Sequence, residues 1–524
     1  MSERRYLWVI SIPLTRWLWR ELAAELAQRH GLEPVLIVAS EEERSFYANL
    51  HGQDWDGHIV VRSDPYATVL SDESAQEPLK ALQQRAVAYE RRHGITLQRA
   101  MVLADRHLGR AFMVGGQGYP RSAMALRANH ERNLRACMAS IDFWEELAGR
   151  FPPVLAISHS GGGGVMEKPL SLLCRERSIP FRTLAPARFG ALYYWGWDEF
   201  NESPELEQTV AAAPEPSSEE IAAAQARVSP TGMSTNKLLW QRLMRKLGWR
   251  TIAYQIAYST AQRPWWWLKG YRKARVGARL GERIRNLINA RLNLNYLNRH
   301  ALRDLTQLDE RRIVYFTLHK EPEASTFVYA PHASNQYALL LELALSLPAD
   351  AQLVVKEHIW ALHDRTPDLY DKLRQIPNVV LAHPLANSLD IVRRAAMVCV
   401  ISGSAGYEAA ALGKPVVHFG DHAPLRVLPH VHFLNPGTDM ARIPAILDSA
   451  DDANARARRE ADGARYFLAA ERFCMDLGDM DMAWRSAAPE PQELDRLIRH
   501  LLVGLPDGWA APHISPLIDS NVAP

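Results

Sequence analysis

The feature that most constrains the fold of this chain is an alternation of short apolar runs with longer helical patterns, which occurs twice. In the first 200 residues the runs are YLWVISI, PVLIVAS, HIVVR and VLAIS, and between residues 310 and 450 they are RIVYFTL, QLVVKEH, NVVLA, MVCVI and PVVHF. Each run is bounded by turn residues, as expected for a strand buried on both faces. Strand–helix alternation indicates a parallel sheet covered by helices. The sequence therefore predicts an α/β fold with two Rossmann-like domains.

The length of the chain fits this organisation, because 524 residues exceed the roughly 150 that are typical of one domain. We expect an N-terminal Rossmann-like domain over residues 1–200, a linker or insertion over 201–300, a C-terminal Rossmann-like domain over 301–450, and C-terminal helices with a tail over 451–524. Residues 203–234 are rich in Pro, Ser, Ala and Glu, which is typical of a mobile linker or an insertion. Ligands of open sheets bind beyond the carboxyl ends of the strands, so we expect the site in a cleft between the two domains.

Composition argues against several classes of protein. Lys and Arg number 61 against 59 Asp and Glu, so the chain lacks the overall positive field of many nucleic-acid-binding proteins, and we expect no nucleic-acid partner. The four cysteines form no Cys-x-x-Cys pair, which argues against a disulfide framework or a cysteine-based zinc site and fits a reducing cytosol. No segment has the roughly 18 uninterrupted apolar residues of a transmembrane helix. We therefore expect a cytoplasmic protein.

A basic, tryptophan-rich segment separates the two predicted domains. Residues 263–291 carry nine Lys or Arg residues against one acid, Glu282, and Trp265, Trp266 and Trp267 lie near their start. Such a segment suits a patch that holds the protein at the anionic inner face of a membrane, with the tryptophans at headgroup depth. It also suits an inter-domain helix whose apolar face is packed and whose basic face is solvated. The sequence leaves both interpretations open.

Two predicted βα loops of the C-terminal domain carry residues suited to anions. One strand runs directly into Lys356, Glu357 and His358, which places a cation and an imidazole at the carboxyl end of a parallel strand. A later strand is followed by SGSAG at residues 402–406 and then by a helix. Small residues let a phosphate approach the backbone, and free amides at a helix N-terminus favour its negative charge. The combination predicts binding of a nucleotide or nucleotide-sugar phosphate, although either loop alone is also typical of a tight turn without a ligand.

These segments resemble a known family. The run KEH, followed by PNVVLAHPLANSLDIVRRAAMVCVISGSAGYEAAALGKPVVHFG, is similar to the carboxyl-terminal domain of capsule and surface-polysaccharide glycosyltransferases. This GT-B-like group includes the capsular Kdo transferases and the bacterial polysialyltransferases. Its members show a Lys-Glu-His-Pro signature, then a Ser/Thr-Gly-x-x-Gly-x-Glu-Ala loop, then Gly-Lys-Pro-Val. The resemblance covers residues 310–425 and departs from the pattern at Ile359, where the family has proline; His383-Pro384 supplies such a pair 25 residues after His358.

The resemblance implies roles for individual residues. It implies that Lys356 and His358 contact the donor phosphate and that Glu408 orients the ribose or the sugar. It also implies that the phosphate is cradled by Ser402, Gly403, Ser404 and Gly406. A lysine, an imidazole and a helix N-terminus together can stabilise a departing nucleotide, so we expect neither a metal nor another cofactor. His418 and His422, which flank Asp421, suggest either a metal or, more simply, a loop near the donor base or sugar.

The acceptor side is expected in the N-terminal domain. Its richest loop is ISHSGGGGVMEKP, in which a strand ends near His159, four glycines follow, and a helix begins near Glu167. A glycine-rich turn lets a substrate lie against the backbone, and Glu167 or His159 is a candidate general base for an acceptor hydroxyl. Asp105, in a second loop, is an alternative base. The glycine-rich segment is also typical of a flexible strand-to-helix turn.

We therefore predict a glycosyltransferase that moves a sugar from a nucleotide-sugar donor to a surface polysaccharide or a lipid-linked glycan acceptor. The resemblance favours a CMP-linked acid sugar as the donor. Two alternatives stay open, namely a sugar-nucleotide epimerase or hydrolase of the same fold, and a non-catalytic polysaccharide-assembly protein. The transferase needs an acceptor, the epimerase does not, and the non-catalytic protein shows no turnover.

Overall fold

A computed structural model gives the structure of the protein. It describes residues 4–12, 15–48, 58–62, 77–105, 108, 129–159, 163–228, 245, 247–268, 280–321, 323–363, 365–420, 424–477 and 490–505. The strands are β1 (Tyr6–Ile10), β2 (Glu33–Val38), β3 (Ile59–Val61), β4 (Pro153–Ser158), β5 (Phe181–Pro186), β6 (Leu192–Gly196), β7 (Arg312–Thr317), β8 (Ala351–Lys356), β9 (Val379–Ala382), β10 (Met397–Val400), β11 (Val416–His418), β12 (Val431–Phe433) and β13 (Met475–Asp476). The α-helices are Arg16–His30, Glu41–Ala48, Leu79–His93, His130–Arg150, Gly164–Glu176, Pro204–Ala212, Ser218–Arg227, Trp249–Leu268, Leu280–His300, Ala324–Phe327, Gln336–Leu345, Pro367–Arg374, Ser388–Arg394, Ser404–Ala411, Ile443–Asp448, Ala453–Phe473 and Pro491–Leu502.

The N-terminal sheet has seven strands in the order β13-β6-β5-β4-β1-β2-β3. Its five strands from β3 to β5 pair in parallel, whereas β6 folds back antiparallel to β5. The seventh strand, β13, comes from near the end of the chain and pairs antiparallel with β6. Helix Pro491–Leu502 then packs on the same core as helix Arg16–His30, and the side chains of Arg29 and Asp495 form an ion pair of 2.7 Å. The end of the chain therefore completes the first sheet.

The C-terminal sheet has six parallel strands in the order β12-β11-β10-β7-β8-β9. Its central strands are buried on both faces, and each face packs against its own set of helices. Continuous Val, Leu and Ile runs form these strands because neither face meets water. The prediction of an α/β fold with two Rossmann-like sheets is confirmed.

The sequence predicted a mobile linker or an insertion over residues 203–234, and residues 204–227 are packed helices and not a mobile linker. They form two helices, Pro204–Ala212 and Ser218–Arg227, which pack against helix Ala453–Phe473 through buried side chains such as Leu206 and Val210. The Ser and Pro residues that suggested a linker are helix starts. Ser203 caps the first helix, with Pro204 at its first turn, and Ser217 forms a capping box in the second. The rest of the predicted linker or insertion, residues 229–234, lies outside the described residues.

Part of the predicted basic segment belongs to helix Trp249–Leu268, which packs against helix Leu280–His300. The side chains of Trp265, Trp266 and Trp267, and all of residues 269–279, lie outside the described residues. Within the described part of the chain, no helix combines the length and the apolarity needed to span a bilayer.

Candidate functional site

The strand order of the C-terminal sheet reverses between β7 and β10. The chain passes from β7 outward to β8 and β9, and then returns to β10 on the other side of β7. The loops that leave these two strands diverge, and the crevice between such loops is where doubly wound sheets bind ligands. A Cβ atom on Gly403, after β10, would lie 3.1 Å from Cε1 of His319 and 3.2 Å from Oγ1 of Thr317, both from the β7 side. Glycine at 403 therefore lets the two loops meet at the floor of the crevice.

The helix that follows β10 has an open N-terminus. Helix Ser404–Ala411 begins after Gly403, and no side chain from the described residues caps it. Its first backbone amides therefore remain available as donors to an anion. Ser402 and Ser404 are half-buried at the same end. The residues of the predicted phosphate cradle thus lie at the reversal point of the sheet, and their contact with a phosphate stays a prediction.

Gly406 and Glu408 lie deeper in this helix. A Cβ atom on Gly406 would lie 2.7 Å from Cγ2 of Val400, so glycine here lets the helix pack closely on β10. Glu408 is buried. Both residues therefore support the loop from within the helix, and the ligand contacts predicted for them stay predictions.

Lys356 ends β8 within electrostatic reach of Glu408. The side chain is buried, and its Nζ donates to Oγ of Ser388 over 2.9 Å. Burial lowers the pKa of Lys356 to about 8, while the carboxylates of Glu408 and Glu357 oppose that shift. The amine therefore titrates close to neutral pH, where it can hold or release a charge.

Glu357 turns into the protein, whereas its neighbour His358 is exposed. Arg365 is also buried, and its Nε donates to Oε2 of Glu357 over 2.9 Å. The same guanidinium donates to Oε2 of Glu321 over 3.3 Å and to the backbone carbonyl of His319. Glu321 and His319 follow β7, and Glu357 follows β8. This ion cluster therefore ties together the loops that leave two neighbouring strands.

His383 belongs to the His-Pro pair that the sequence offered in place of the family signature. The residue is fully buried, its Nε2 lies 3.0 Å from Oδ1 of Asn298, and its Nδ1 accepts from the amide of Leu385 over 3.2 Å. With both ring nitrogens bonded inside the protein, His383 acts as a structural residue. Of the two histidines, His358 is the one that is open to a ligand.

Two buried imidazoles flank the crevice. His319 is 8% exposed and follows β7, and His418 is 1% exposed and ends β11. Within the described part of the chain, Nε2 of each ring has no hydrogen-bond partner. Burial lowers the pKa of His319 to about 3 and that of His418 to about 4. Both rings are therefore neutral at pH 7, and an unsatisfied buried nitrogen of this kind is costly unless a ligand or water meets it.

Arg188 reaches this region from the N-terminal half of the chain. It follows β5 and has a φ of 66°, a left-handed backbone conformation that is costly for a residue with a side chain and is often found at functional sites. Arg188 lines a pocket of about 20 Å³ together with Ser402 and His418. Asn201 and Tyr329 also line it, and Nδ2 of Asn201 donates to the Tyr329 hydroxyl over 3.0 Å. The pocket therefore combines an arginine and an amide from one sheet with the loop residues of the other.

The sequence missed His319 and Arg188. A histidine two residues after an apolar run is a weak signal, and only the strand order shows that β7 borders the reversal point. Arg188 follows β5, a strand that the sequence did not predict. His418 was expected near the donor and does line the pocket, whereas Asp421 and His422 lie outside the described residues. The described residues contain no group of His, Cys, Asp or Glu side chains that could hold a metal ion.

The predicted acceptor loop follows β4, which borders β1 at the reversal point of the N-terminal sheet. His159 is half-buried at the end of β4, and Glu167 lies in the first turn of helix Gly164–Glu176. Burial raises the pKa of Glu167, and Asp105 raises it further, while Arg62, 3.4 Å from Oε1, opposes the shift. A carboxylate with a raised pKa is a better proton acceptor near neutral pH. Glu167 is therefore suited to the predicted role of base.

Asp105 has a different environment. Its Oδ1 accepts from the amide of Leu108 over 2.8 Å, and its Oδ2 accepts from the amide of Val165 over 3.3 Å. The carboxylate is buried and holds the start of helix Gly164–Glu176, where Gly164 has a φ of 84°. In the structure Asp105 therefore supports the start of this helix, and its role as a base stays a prediction.

The two halves meet at this loop. A Cβ atom on Gly163 would lie 2.8 Å from Cγ2 of Val328, which belongs to the segment that leads away from β7. Tyr329, the next residue, is the one that bonds to Asn201. The predicted acceptor loop and the C-terminal pocket are therefore joined through residues 328–329.

Comparison with known proteins gives matches among solved structures alone, since no family model and no curated protein matches the sequence. UDP-GlcNAc 2-epimerase from Neisseria meningitidis, bound to UDP-GlcNAc, is 11% identical, with 89% of this chain and 98% of that chain covered and a TM-score of 0.28. KpsC from Thermosulfurimonas dismutans, a β-Kdo 2,7-transferase, is 15% identical, with 56% and 74% covered and a TM-score of 0.30. MnaA from S. aureus, in complex with UDP, is 10% identical, with 89% and 94% covered and a TM-score of 0.29.

The matches thus include a Kdo transferase, from the group that the C-terminal loops resemble, and UDP-GlcNAc 2-epimerases. At such identities and TM-scores these likenesses do not decide what the chain does. Its function has to be argued from the site.

Proposed function

We propose that this protein is a glycosyltransferase that uses a nucleotide-sugar donor and a glycan or lipid-linked acceptor. The observation that carries the proposal is the set of groups around the reversal point of the C-terminal sheet. Arg188, Ser402 and the imidazole of His418 line one small pocket. Next to Ser402, Gly403 precedes an open helix N-terminus and approaches the buried imidazole of His319. These are donors for a phosphate, and they belong to two sheets, as expected if a second substrate enters from the other side.

The proposed reaction needs one base and one stabilised leaving group. Glu167 takes the proton of the acceptor hydroxyl, and the acceptor oxygen forms a bond to the anomeric carbon of the donor. The bond between that carbon and the donor phosphate oxygen breaks, and the electron pair stays with the phosphate. The leaving phosphate gains negative charge. This charge is stabilised by Lys356, Arg188 and the amides of helix Ser404–Ala411. This division of roles requires no metal ion.

We favour a CMP-linked acid sugar as the donor. Such a donor carries one phosphate and one carboxylate. These suit Arg188, which lines the pocket, and Lys356 and His358, which lie at and just after the end of β8. A lipid-linked acceptor would bring the protein to a membrane surface, in keeping with the basic segment that contains Trp265, Trp266 and Trp267.

A thermal-shift panel with CMP, UDP, GDP, dTDP and AMP tests the proposal. A ligand that binds only the folded state stabilises it by about 2.7 kcal/mol at a hundredfold excess over its Kd. We expect one nucleotide, with CMP first, to raise the Tm of the wild type. If none of the five changes the Tm, the transferase proposal fails and a non-catalytic assembly protein becomes the better hypothesis.

Glu167→Gln separates binding from turnover. We expect this variant to keep the nucleotide-dependent rise in Tm and to lose about a hundredfold or more in release of nucleotide from the matching nucleotide sugar, because a positioned base contributes about that much. Glu176→Gln, at the exposed end of the same helix, is the matched control. A variant with unchanged turnover would remove Glu167 from the reaction. Donor turnover without an acceptor, giving an epimeric sugar nucleotide, would identify an epimerase instead.

A further inference from the structure

Helix Trp249–Leu268 exposes a cluster of large apolar side chains. Trp249 is 49% exposed, Tyr254 is 67% exposed and Tyr258 is 53% exposed, and Leu292 on the neighbouring helix is 43% exposed. These are four of the seven large hydrophobic side chains that are exposed anywhere in the described ranges. Such a concentration on one pair of helices marks an interaction surface, since single exposed apolar residues are normally scattered.

The exposed side chains follow the helical period. Tyr254 and Tyr258 are one turn apart, and their rings are stacked with centroids 6.2 Å apart. The exposed positions between and beyond them are largely small and apolar, namely Ala253, Ala257, Ala261 and Pro264. Ile252 and Ser259, by contrast, are buried. The helix therefore presents alanine and tyrosine to solvent, whereas an ordinary surface helix presents charged residues there.

The charge of this region is positive. Helix Trp249–Leu268 contains no Asp or Glu, and it carries Arg250 and Arg263. The sequence that follows, up to residue 279, adds only basic charges, namely Lys269, Arg272, Lys273, Arg275 and Arg279. A surface of this sign attracts anions and repels a second copy of itself. Tyrosine and tryptophan, with an apolar ring and a polar edge, are the residues that favour the headgroup layer of a bilayer.

We propose that the exposed face of helix Trp249–Leu268 that carries Arg250, Tyr254 and Tyr258 lies on an anionic lipid bilayer. The tyrosine rings enter the headgroup layer, and Arg250 contacts the lipid phosphates. This proposal does not depend on the reaction that the protein catalyses. It places the membrane contact on a face that is defined by described residues, before the three consecutive tryptophans.

Sedimentation with lipid vesicles tests the proposal. The probes are vesicles of phosphatidylcholine alone and vesicles that also contain phosphatidylglycerol. The full chain is expected to bind the anionic vesicles and to release them as salt is raised, because the Lys and Arg contacts are screened. We expect Tyr254→Ser/Tyr258→Ser to weaken this binding roughly tenfold, because two interfacial rings are lost.

The matched control is Leu345→Ser, which removes a 76% exposed apolar side chain from helix Gln336–Leu345 in the C-terminal domain. We expect this variant to bind vesicles like the wild type, and both variants to keep the wild-type Tm. The proposal is overturned if the wild type does not bind anionic vesicles, or if the double variant binds them equally well. A wild type that is dimeric by analytical ultracentrifugation, with a monomeric double variant, would also overturn it in favour of a second copy.

Discussion

Burial determines the protonation state of three side chains at or just after the carboxyl ends of the C-terminal strands. His319, Lys356 and His418 all have lowered pKa values because they have lost contact with water. For the two histidines the result is a neutral ring at pH 7. For Lys356 the result is an amine whose charge changes within the range of ordinary buffers. The charge of a bound phosphate would favour the protonated amine.

The pH dependence of nucleotide binding tests this property of Lys356. The folded-state pKa is about 8, lowered from 10.5, so the amine is charged below that value and neutral above it. We therefore expect nucleotide affinity to fall as pH rises through about 8. Lys356→Arg should keep its affinity to higher pH, because a guanidinium stays protonated. Fluorescence titration at several pH values measures both proteins, and equal pH profiles would show that Lys356 does not meet the phosphate.

At the same scale, residue types alone predicted part of the candidate site. Ser402 and Gly403 were predicted because small residues before a helix are a local pattern, and the structure places them at the reversal point of the sheet. His319 and Arg188 could not be found in this way. Both residues reach the candidate site because of the strand order and of contacts between distant segments. The sequence immediately around each residue does not encode either of these.

At the scale of elements, the ion cluster around Arg365 holds the loops after β7 and β8. Arg365 is buried between Glu321 and Glu357, and the Tyr370 hydroxyl also donates to Glu357, over 2.7 Å. Removing one partner of such a pair leaves buried charge uncompensated, which costs more than the pair itself contributes. The cluster therefore fixes where the His319 backbone lies.

We expect Arg365→Met to lower the free energy of unfolding by about 3 to 5 kcal/mol. Urea denaturation measures the change. The control is Arg311→Met, because Arg311 pairs with Asp309 at the exposed surface and such a pair adds little stability. If Arg365→Met and Arg311→Met unfold at the same urea concentration, the buried cluster does not hold these loops.

Strands and helix ends were predictable where the local pattern was strong. Gly31 and Gly413 end helices with φ values of 61° and 69°, as their place after helical runs indicates. The hairpin of β5 and β6 was missed because Arg182 interrupts its apolar pattern. In the structure Arg182 is buried against the Trp197 ring, with 4.2 Å between the guanidinium carbon and the ring centroid. The sequence did not predict β12, which has His432 at its centre, or β13, which has only two residues.

At the scale of the whole molecule, the two halves of the chain are joined by side-chain packing and strand pairing as well as by the connecting segment. Phe189 after β5 packs edge-on against Tyr407 and Phe467 of the C-terminal half. The end of the chain returns to pair as β13 with the first sheet. Sequence patterns predicted two sheets but not this exchange, because it depends on pairing between residues hundreds of positions apart. The pocket that contains Arg188 and His418 is a consequence of the same contact.

We predict that a nucleotide phosphate binds where Gly403 meets His319. Calorimetric titration of CMP, UDP and GDP into the wild type, Gly403→Ala and Gly149→Ala tests it most directly. Gly403 has an ordinary φ, so alanine strains no backbone there, but its Cβ would lie 3.1 Å from the His319 ring and fill the floor of the crevice. At Gly149 an added Cβ would have no neighbour within 4 Å among the described residues. We predict binding to the wild type and to Gly149→Ala, with affinity lowered about tenfold or more in Gly403→Ala. Equal affinity in all three proteins would contradict the claim, and so would the absence of binding to the wild type.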